Sequence, residues 1–323
     1  MKEIIITTLG PSSHDISTIK ELIKAGTSHF RLNMSHGTIA DHKTLISYIE
    51  AANKNLKTKT EIIIDLPGPK FRIEKVNELK SKQNVYITDQ NLRNSFSINI
   101  KEIYDQIQEG QIIYIRDGEI KLKVEKINFD EKIIQCEYLV YGEIKPENGL
   151  NFIESNLKIP IIKPQDICFL ELAESQNITN FMLSFVNVAS DIQNAKKLLP
   201  ANSTIFTKIE TKKAISNLSK IIKESNYLVI ARGDLGVETD LFMLPQTTLK
   251  IIEKAKKEKI PCVYATEILK SMITNSRPSR AEVTDMYFAI TNGVRNFLVS
   301  NETAIGLYPI KCIETIKTML SKH

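Results

Sequence analysis

Tryptophan is missing from this 323-residue chain, which also has only four cysteines, twelve glycines and eleven prolines. So little glycine and proline excludes collagen-like and low-complexity chains. The cysteines, Cys136, Cys168, Cys262 and Cys312, form no C-x-x-C pair and sit within apolar patterns. They read as reduced core residues rather than as a disulfide framework or a zinc site. No apolar run reaches the ~20 residues that span a bilayer. The opening "MKEIIITTLG" has too short an apolar run for a signal peptide. A cytoplasmic protein without membrane attachment is expected, so "RGD" at 232–234 is not read as an adhesion motif. Charge of one sign is also scarce: the net charge is +5, with Lys residues interspersed among Glu and Asp. That pattern describes solvated helix faces and gives no nucleic-acid patch. What remains is an ordinary globular composition, 42% hydrophobic and 25% charged, which supports a sizeable core.

Eight short strand-like runs recur: 3–10, 29–34, 61–68, 180–186, 204–210, 227–234, 261–267 and 296–303. Most are separated by helical patterns. "DISTIKELIKAG" has Asp15 as N-cap and Gly26 as stop, and "KKAISNLSKIIKES" and "QTTLKIIEKAKKEK" space apolar residues by three or four. "RAEVTDMYFAITNG" and "YPIKCIETIKTML" do the same. Strand–helix alternation implies right-handed crossovers and a parallel sheet. Eight units predict an α/β fold of the (β/α)8 TIM-barrel class, an open doubly wound sheet being the alternative. One interval differs. Between the third and fourth strands, "NVYIT", "QIIYIRDG", "IKLKVEKI" and "KIIQCEYLVYGEI" alternate with turns such as "RDGE". This predicts a small all-β domain inserted at 74–156, with the barrel at 1–73 and 157–323. The barrel portion is then about 240 residues, near the usual ~250. An insertion after a strand's C-terminal end is expected to act as a lid.

Barrel active sites lie at the C-terminal strand ends. Those ends carry Arg31, Asn33 and Ser35, then Asp65, Ser184, Lys208 and Glu210, Arg232 and Asp234, Thr266 and Glu302. Lys208 and Glu210 are two apart and share a strand face. A lone Lys or Glu at such a place is more often solvated, but convergence from so many strands points to a site. Glu210 and Asp234 offer two carboxylates, leaving positions for water and substrate oxygens, as Mg2+ prefers. Arg31 and Lys208 add positive charge for a phosphate or developing oxyanion. Glycines beside Asp234 let backbone N–H groups approach an anion.

The segments "TTLGPSS", "RLNMSHG", "DLPGPKFR", "TKIET", "ARGDLGVE", "ATEILKSMI", "RPSRAEVTD" and "SNETAIGLYP", in this order, resemble the signature segments of pyruvate kinase. The resemblance spans nearly the whole chain and is weakest across the inserted domain. It implies phosphoenolpyruvate and pyruvate as substrates, ADP and ATP as partners, Mg2+ (or Mn2+) as cofactor, and a homo-oligomer, expected as a dimer. Carried over by motif, Arg31 would contact the substrate phosphate and Lys208 the transferring phosphoryl group. Ser184 would belong to the substrate pocket. Glu210 and Asp234 would hold Mg2+. The backbone at Gly233 and Asp234, with Thr266, would grip the carboxylate, and Thr266 lies where the enolate is protonated. Asn33, Ser35, Asp65 and the Leu66 carbonyl match the monovalent-cation site; His36 and Arg72 match the nucleotide side. Lys70, where the family often has Glu, predicts that potassium is not required.

Departures accompany the matches. The family usually carries a further C-terminal domain with the allosteric site, and here the chain ends at "TMLSKH". Where the family has "K-K-G-V-N-L-P-G" this chain reads "ENGLNFIE", so Asn148 and Glu147 stand for the lysines. Lys145 lies three residues away and could compensate. Asn301 and Ile305 stand for Gly and Lys, Asn187 for Arg, and Glu267 for Gln. The enolpyruvate half of the site is intact and the nucleotide half is eroded. Three readings follow: a minimal pyruvate kinase, a Mg2+-dependent enzyme with an enolpyruvate or 2-oxo acid intermediate that does not use ADP, and a non-catalytic binding protein. Retention of Lys208, Glu210, Asp234 and Thr266 together argues against the third.

Overall fold

The runs of Ile, Leu, Val and Phe that alternate with helical patterns become parallel strands buried on both faces. A computed structural model describes residues 3–80, 84–116, 118–153, 155 and 157–323. In chain order the strands are β1 (Ile4–Thr8), β2 (His29–Asn33), β3 (Glu61–Leu66), β4 (Phe71–Asn77), β5 (Asn84–Ile87), β6 (Ser95–Ile98), β7 (Ile112–Ile115), β8 (Ile120–Asn128), β9 (Ile133–Val140), β10 (Gly149–Asn151), β11 (Asn180–Leu183), β12 (Thr204–Ile209), β13 (Tyr227–Ala231), β14 (Cys262–Ala265) and β15 (Asn296–Val299). The helices are α1 (Ile16–Ala25), α2 (Ile39–Leu56), α3 (Ile167–Ser175), α4 (Ala189–Lys196), α5 (Lys212–Ser216), α6 (Leu218–Glu224), α7 (Arg232–Glu238), α8 (Leu244–Lys257), α9 (Arg280–Thr291), α10 (Asn301–Ala304) and α11 (Pro309–Lys322).

Eight parallel strands close into a barrel in the order β1-β15-β14-β13-β12-β11-β3-β2. Closure is made by β1 against β15, with Ile6 beside Leu298. This is the predicted barrel, and it excludes the open sheet. Alternate side chains divide into two layers. Ile4, Ile6, Ile63, Met182, Phe206, Val229, Val263 and Leu298 fill the barrel interior. Ile5, Phe30, Ile64, Phe181, Ile230, Tyr264 and Phe297 belong to the larger core that includes the helices. Asp15 caps α1 by accepting from the Thr18 N–H, and Gly26 ends it, as expected from the sequence.

The chain divides into two compact units. One comprises 1–68, 161–236 and 241–323, and the other 69–160 and 237–240. The divisions fall at Gly68/Pro69 and Pro160/Ile161 rather than at 73/74 and 156/157. The second unit is itself a closed sheet, β10-β4-β6-β5-β9-β8-β7, antiparallel except for the β5–β6 pair. Its core includes Ile73, Val85, Phe96, Ile113, Leu122 and Ile134. Asp117 of the expected "RDGE" turn, and Asn156 at the expected boundary, lie outside the described residues.

The structure corrects several expectations. Strand six ends at Ala231, and Arg232–Glu238 forms a short helix, so Asp234 lies in a first helical turn rather than on a strand. Strand eight ends at Val299, and Glu302 lies on α10. Strand four ends at Leu183, because Phe185 turns left-handed at φ 56°. The helix expected over "KKAISNLSKIIKES" is two, broken at Asn217. Cys136, Cys262 and Cys312 are buried thiols, but Cys168 is exposed. Among the described residues, no helix is long and apolar enough to cross a membrane.

Candidate active site

The C-terminal ends of β1, β2, β3, β11 and β12 bring a linked set of polar groups together above the apolar barrel interior. Arg31 leaves β2 buried, and its guanidinium is held on two sides. Nε donates to Asp65 Oδ2 at 2.6 Å and Nη2 lies 2.6 Å from the same oxygen, while Nη1 donates to Thr8 Oγ1 at 3.0 Å. Thr8 in turn donates to the Val299 carbonyl. Asp65, on β3, is 2% exposed, so its charge is balanced chiefly by the Arg31 guanidinium rather than by bulk solvent. The Ser184 hydroxyl donates to the Leu66 carbonyl at 2.7 Å and accepts from Lys208 Nζ at 3.0 Å. Gly68 approaches that serine closely. A Cβ there would lie 2.9 Å from Ser184 Cβ, and its φ of +65° suits glycine.

Lys208 and Glu210 share one face at the end of β12, as their spacing predicts. Lys208 Nζ lies 2.8 Å from Glu210 Oε1. Burial disfavours the Lys208 ammonium, but the carboxylates of Asp65 and Glu210 outweigh it, so Lys208 titrates above the ordinary lysine range. Glu210 is pushed up, chiefly by burial; Lys208 opposes the shift and the charge of Asp234 adds to it. Oε2 of Glu210 accepts the Phe185 N–H at 2.7 Å. Oε1 is buried and, although paired in charge with Lys208, accepts no aligned hydrogen bond. The left-handed turn at Phe185 aims that N–H, and no sequence signal marks it, because a bulky aromatic is a poor predictor of positive φ.

Thr266 and Glu267 follow β14 at φ 71° and 53°. Two successive side-chain-bearing residues in this region store strain of about 1–3 kcal/mol each. Gly233 accommodates Thr266: a Cβ at 233 would meet Thr266 Cγ2 at 2.9 Å. The glycine thus makes room for a threonine side chain, a role not legible from "RGDLG" alone. Arg232 does not join the charged set. It extends to Tyr264, Asp285 on α9, and the carbonyls of Ala265 and Thr266. Glu302 is buried and accepts from the backbone N–H groups of Leu269 and Ser300, tying two strand-end loops together.

The remaining predicted residues divide between the units. Asn33 lies beside Asp65 in the β2–β3 register, and its Oδ1 accepts from Ser35 N at 3.2 Å. Ser35 and His36 are exposed on the following turn. Arg72, in the second unit, donates from Nη1 to the Glu147 carbonyl at 3.0 Å. Asn148 Oδ1 accepts the Lys145 N–H, and Lys145 Nζ pairs with Glu143 at 2.9 Å. Among the described residues, no group of three or more His, Cys, Asp or Glu side chains is arranged around a metal position. Glu210 and Asp234 interact in charge, and a carboxylate pair of this kind fits a hard cation that takes its other ligands from substrate and water.

Comparison with known proteins gives a single family. The pyruvate kinase barrel-domain family matches residues 1–313. A pyruvate kinase of Thermococcus litoralis is 34% identical over 323 residues, covering 97% of this chain and 68% of its own length. Pyruvate kinases of Staphylococcus aureus strains USA300 and NCTC 8325 are 32% identical over 328 residues, covering 98% of this chain. The chain spans 56% of the length of those bacterial relatives.

Proposed function

From the premise that the chain belongs to the pyruvate kinase family, we propose that it transfers the phosphoryl group of phosphoenolpyruvate to ADP, giving pyruvate and ATP. The observation that carries this reading is Glu210. It is a buried carboxylate with one oxygen fixed by Phe185 N–H and the other paired in charge with Lys208, and the charge of Asp234 beside it adds a second carboxylate that the single lysine does not balance, which favours a cation there. Glu210 and Asp234 would hold Mg2+ or Mn2+, which when bound supplies positive charge against phosphate and enolate oxygens.

The chain's own residues then have separable tasks. Arg31 uses three of its five N–H groups on Asp65 and Thr8, which leaves two for a phosphate oxygen. Lys208, kept protonated by its neighbours, faces the equatorial oxygens of the transferring group. Ser184 fixes the lysine's direction. The bond from phosphorus to the enol oxygen breaks as phosphorus bonds to a terminal ADP oxygen. The enolate carbon then takes a proton that solvent supplies on the side of Thr266, and Gly233 with Asp234 grips the carboxylate. Asn33, Ser35, Asp65 and the Leu66 carbonyl are proposed for the monovalent-cation region, and Lys70, where the family often has Glu, for the absence of a potassium requirement. His36 and Arg72 are proposed for the nucleotide. A cytoplasmic homodimer belongs to the same proposal.

One observation favours a second reading, in which an enolpyruvate intermediate forms without ADP. At the position where the family has lysine, Asn148 carries no charge and its oxygen is taken by Lys145 N–H, while Lys145 itself is paired with Glu143. Polyphosphates bind through cations, so weak ADP use is expected. The deciding assay incubates the protein with phosphoenolpyruvate and Mg2+, with and without ADP, and follows pyruvate, phosphate and ATP. ATP formed in step with pyruvate supports the kinase; pyruvate without ADP supports the second reading; neither product sinks both. Asn148→Lys should lower the ADP concentration required. Oxalate with Mg2+ should raise the melting temperature of the wild type but not of Asp234→Ala.

A further inference from the structure

Arg232 stands in the midst of the strand-end motifs yet makes no hydrogen bond to Arg31, Asp65, Lys208 or Glu210; its bonds run to Tyr264, Asp285 and the carbonyls of Ala265 and Thr266. We propose that it is a positioning residue for Thr266: its guanidinium holds the left-handed Thr266–Glu267 turn that presents the threonine side chain opposite Gly233. The inference rests on the reading that Thr266 faces the substrate, and it adds the device that keeps it there.

The geometry is specific. Nε donates to the Ala265 carbonyl at 3.1 Å and Nη2 to the Thr266 carbonyl at 2.6 Å. These carbonyls belong to the two peptide planes that meet at Thr266. One planar fork binding both therefore fixes the rotation between them. Thr266 at φ 71° and Glu267 at φ 53° adopt a conformation that a β-branched residue avoids and that persists only where the surroundings over-determine it. Nothing in Thr266 itself favours that state, so the restraint must come from its partners.

The fork is itself anchored. Nη1 donates to Asp285 Oδ2 at 2.6 Å and to the Tyr264 hydroxyl at 2.9 Å, and Tyr264 donates to Asp285 Oδ1 at 2.8 Å. The guanidinium carbon lies 4.1 Å from the centre of the Tyr264 ring. Tyr264 packs in the core between barrel and helices, and Asp285 lies on α9. The turn that bears Thr266 is thus clamped to the outer helical layer, through an arginine from the neighbouring strand's end. Lysine has neither the fork nor the flat face, so Arg232→Lys keeps the charge and loses the clamp.

The test compares wild type, Arg232→Lys, Glu267→Gly and the double variant. Glycine at 267 removes the side-chain penalty at one of the two left-handed residues, and the exposed ion pair it deletes, with Lys270, has little energetic weight. In the phosphoenolpyruvate–ADP assay, Arg232→Lys should lower kcat about 10²-fold with little change in KM, the scale of a small misplacement of a reacting group. Glu267→Gly alone should stay near wild type, and in the double variant it should recover about tenfold or more. A purely structural loss of Arg232 would lower the melting temperature without that split between kcat and KM. Crystal structures of wild type and Arg232→Lys provide an arm independent of activity: Thr266 should leave the left-handed region in the variant. Thr266 still at positive φ there, or absence of glycine rescue, overturns the clamp. A wild type that turns over no substrate refutes the proposed function, while the crystallographic arm still decides the clamp. If Arg232→Lys does not fold, Asp285→Asn, which removes the anchoring charge at constant shape, should lower kcat about tenfold; an unchanged kcat there also refutes the proposal.

Discussion

Neutralising Asp65 should destabilise the barrel more than any surface substitution, and the structure says by how much. Four charges adjoin one another, Arg31, Asp65 and Glu210 buried and Lys208 half-buried: Arg31 and Lys208 positive, Asp65 and Glu210 negative. Asp65→Asn leaves Arg31 without its anion and removes the foremost of the charges that hold Lys208 protonated. Breaking one partner of a buried pair costs about 3–5 kcal/mol. For a unit of barrel size, each kcal/mol moves the melting temperature by about 2–4 °C, so a drop of about 6–20 °C is expected. Arg31→Met should cost a similar amount for the opposite reason. The double variant restores the balance between Lys208 and Glu210. It should therefore be more stable than the sum of the singles predicts, with a coupling of about 1–3 kcal/mol. The measurement is urea denaturation of all four proteins at two salt concentrations. Because Asp65 is buried, added salt should change the coupling little. Single variants within about 1 kcal/mol of wild type, or strictly additive losses, would refute the claim that these charges depend on one another.

Three further outcomes are expected. His42 is buried, its Nε2 bonded to the His36 carbonyl, and burial holds its pKa below the ordinary value. The unfolded chain then takes up the proton first, so stability is full above the unfolded pKa of about 6.5 and declines as pH falls through the folded value. Melting temperatures recorded from neutral to mildly acidic pH should fall less steeply in His42→Gln; equal slopes would exclude His42 as the cause. Gly68→Ala places a Cβ 2.9 Å from Ser184 Cβ at φ +65° and should cost about 1–3 kcal/mol in denaturant titration, an unchanged midpoint being the contrary result. Activity in tetramethylammonium buffer should not need added potassium, whereas Lys70→Glu should acquire that need; a wild type silent until potassium is added would refute the role proposed for Lys70.

The periodicity of apolar runs determined the barrel class and the interval that holds the inserted sheet, and Asp15 and Gly26 set the bounds of α1, because local hydrophobic patterning and capping chemistry act over a few residues. Spacing alone also put Lys208 and Glu210 on one face, since a strand repeats every two residues. Tertiary structure decided the rest. Whether "ARGD" continued a strand or began a helix depended on packing after Ala231, which no short-range preference encodes. The left-handed Phe185, Thr266 and Glu267 run against their own residue preferences, and only surrounding contacts can hold them. Arg232 and Asp234 are two residues apart in sequence, yet one anchors a turn to α9 while the charge of the other reaches Glu210. That division arises because a helix starting at Arg232 rotates successive side chains by about 100°, and the neighbouring strand and helix determine what each one meets.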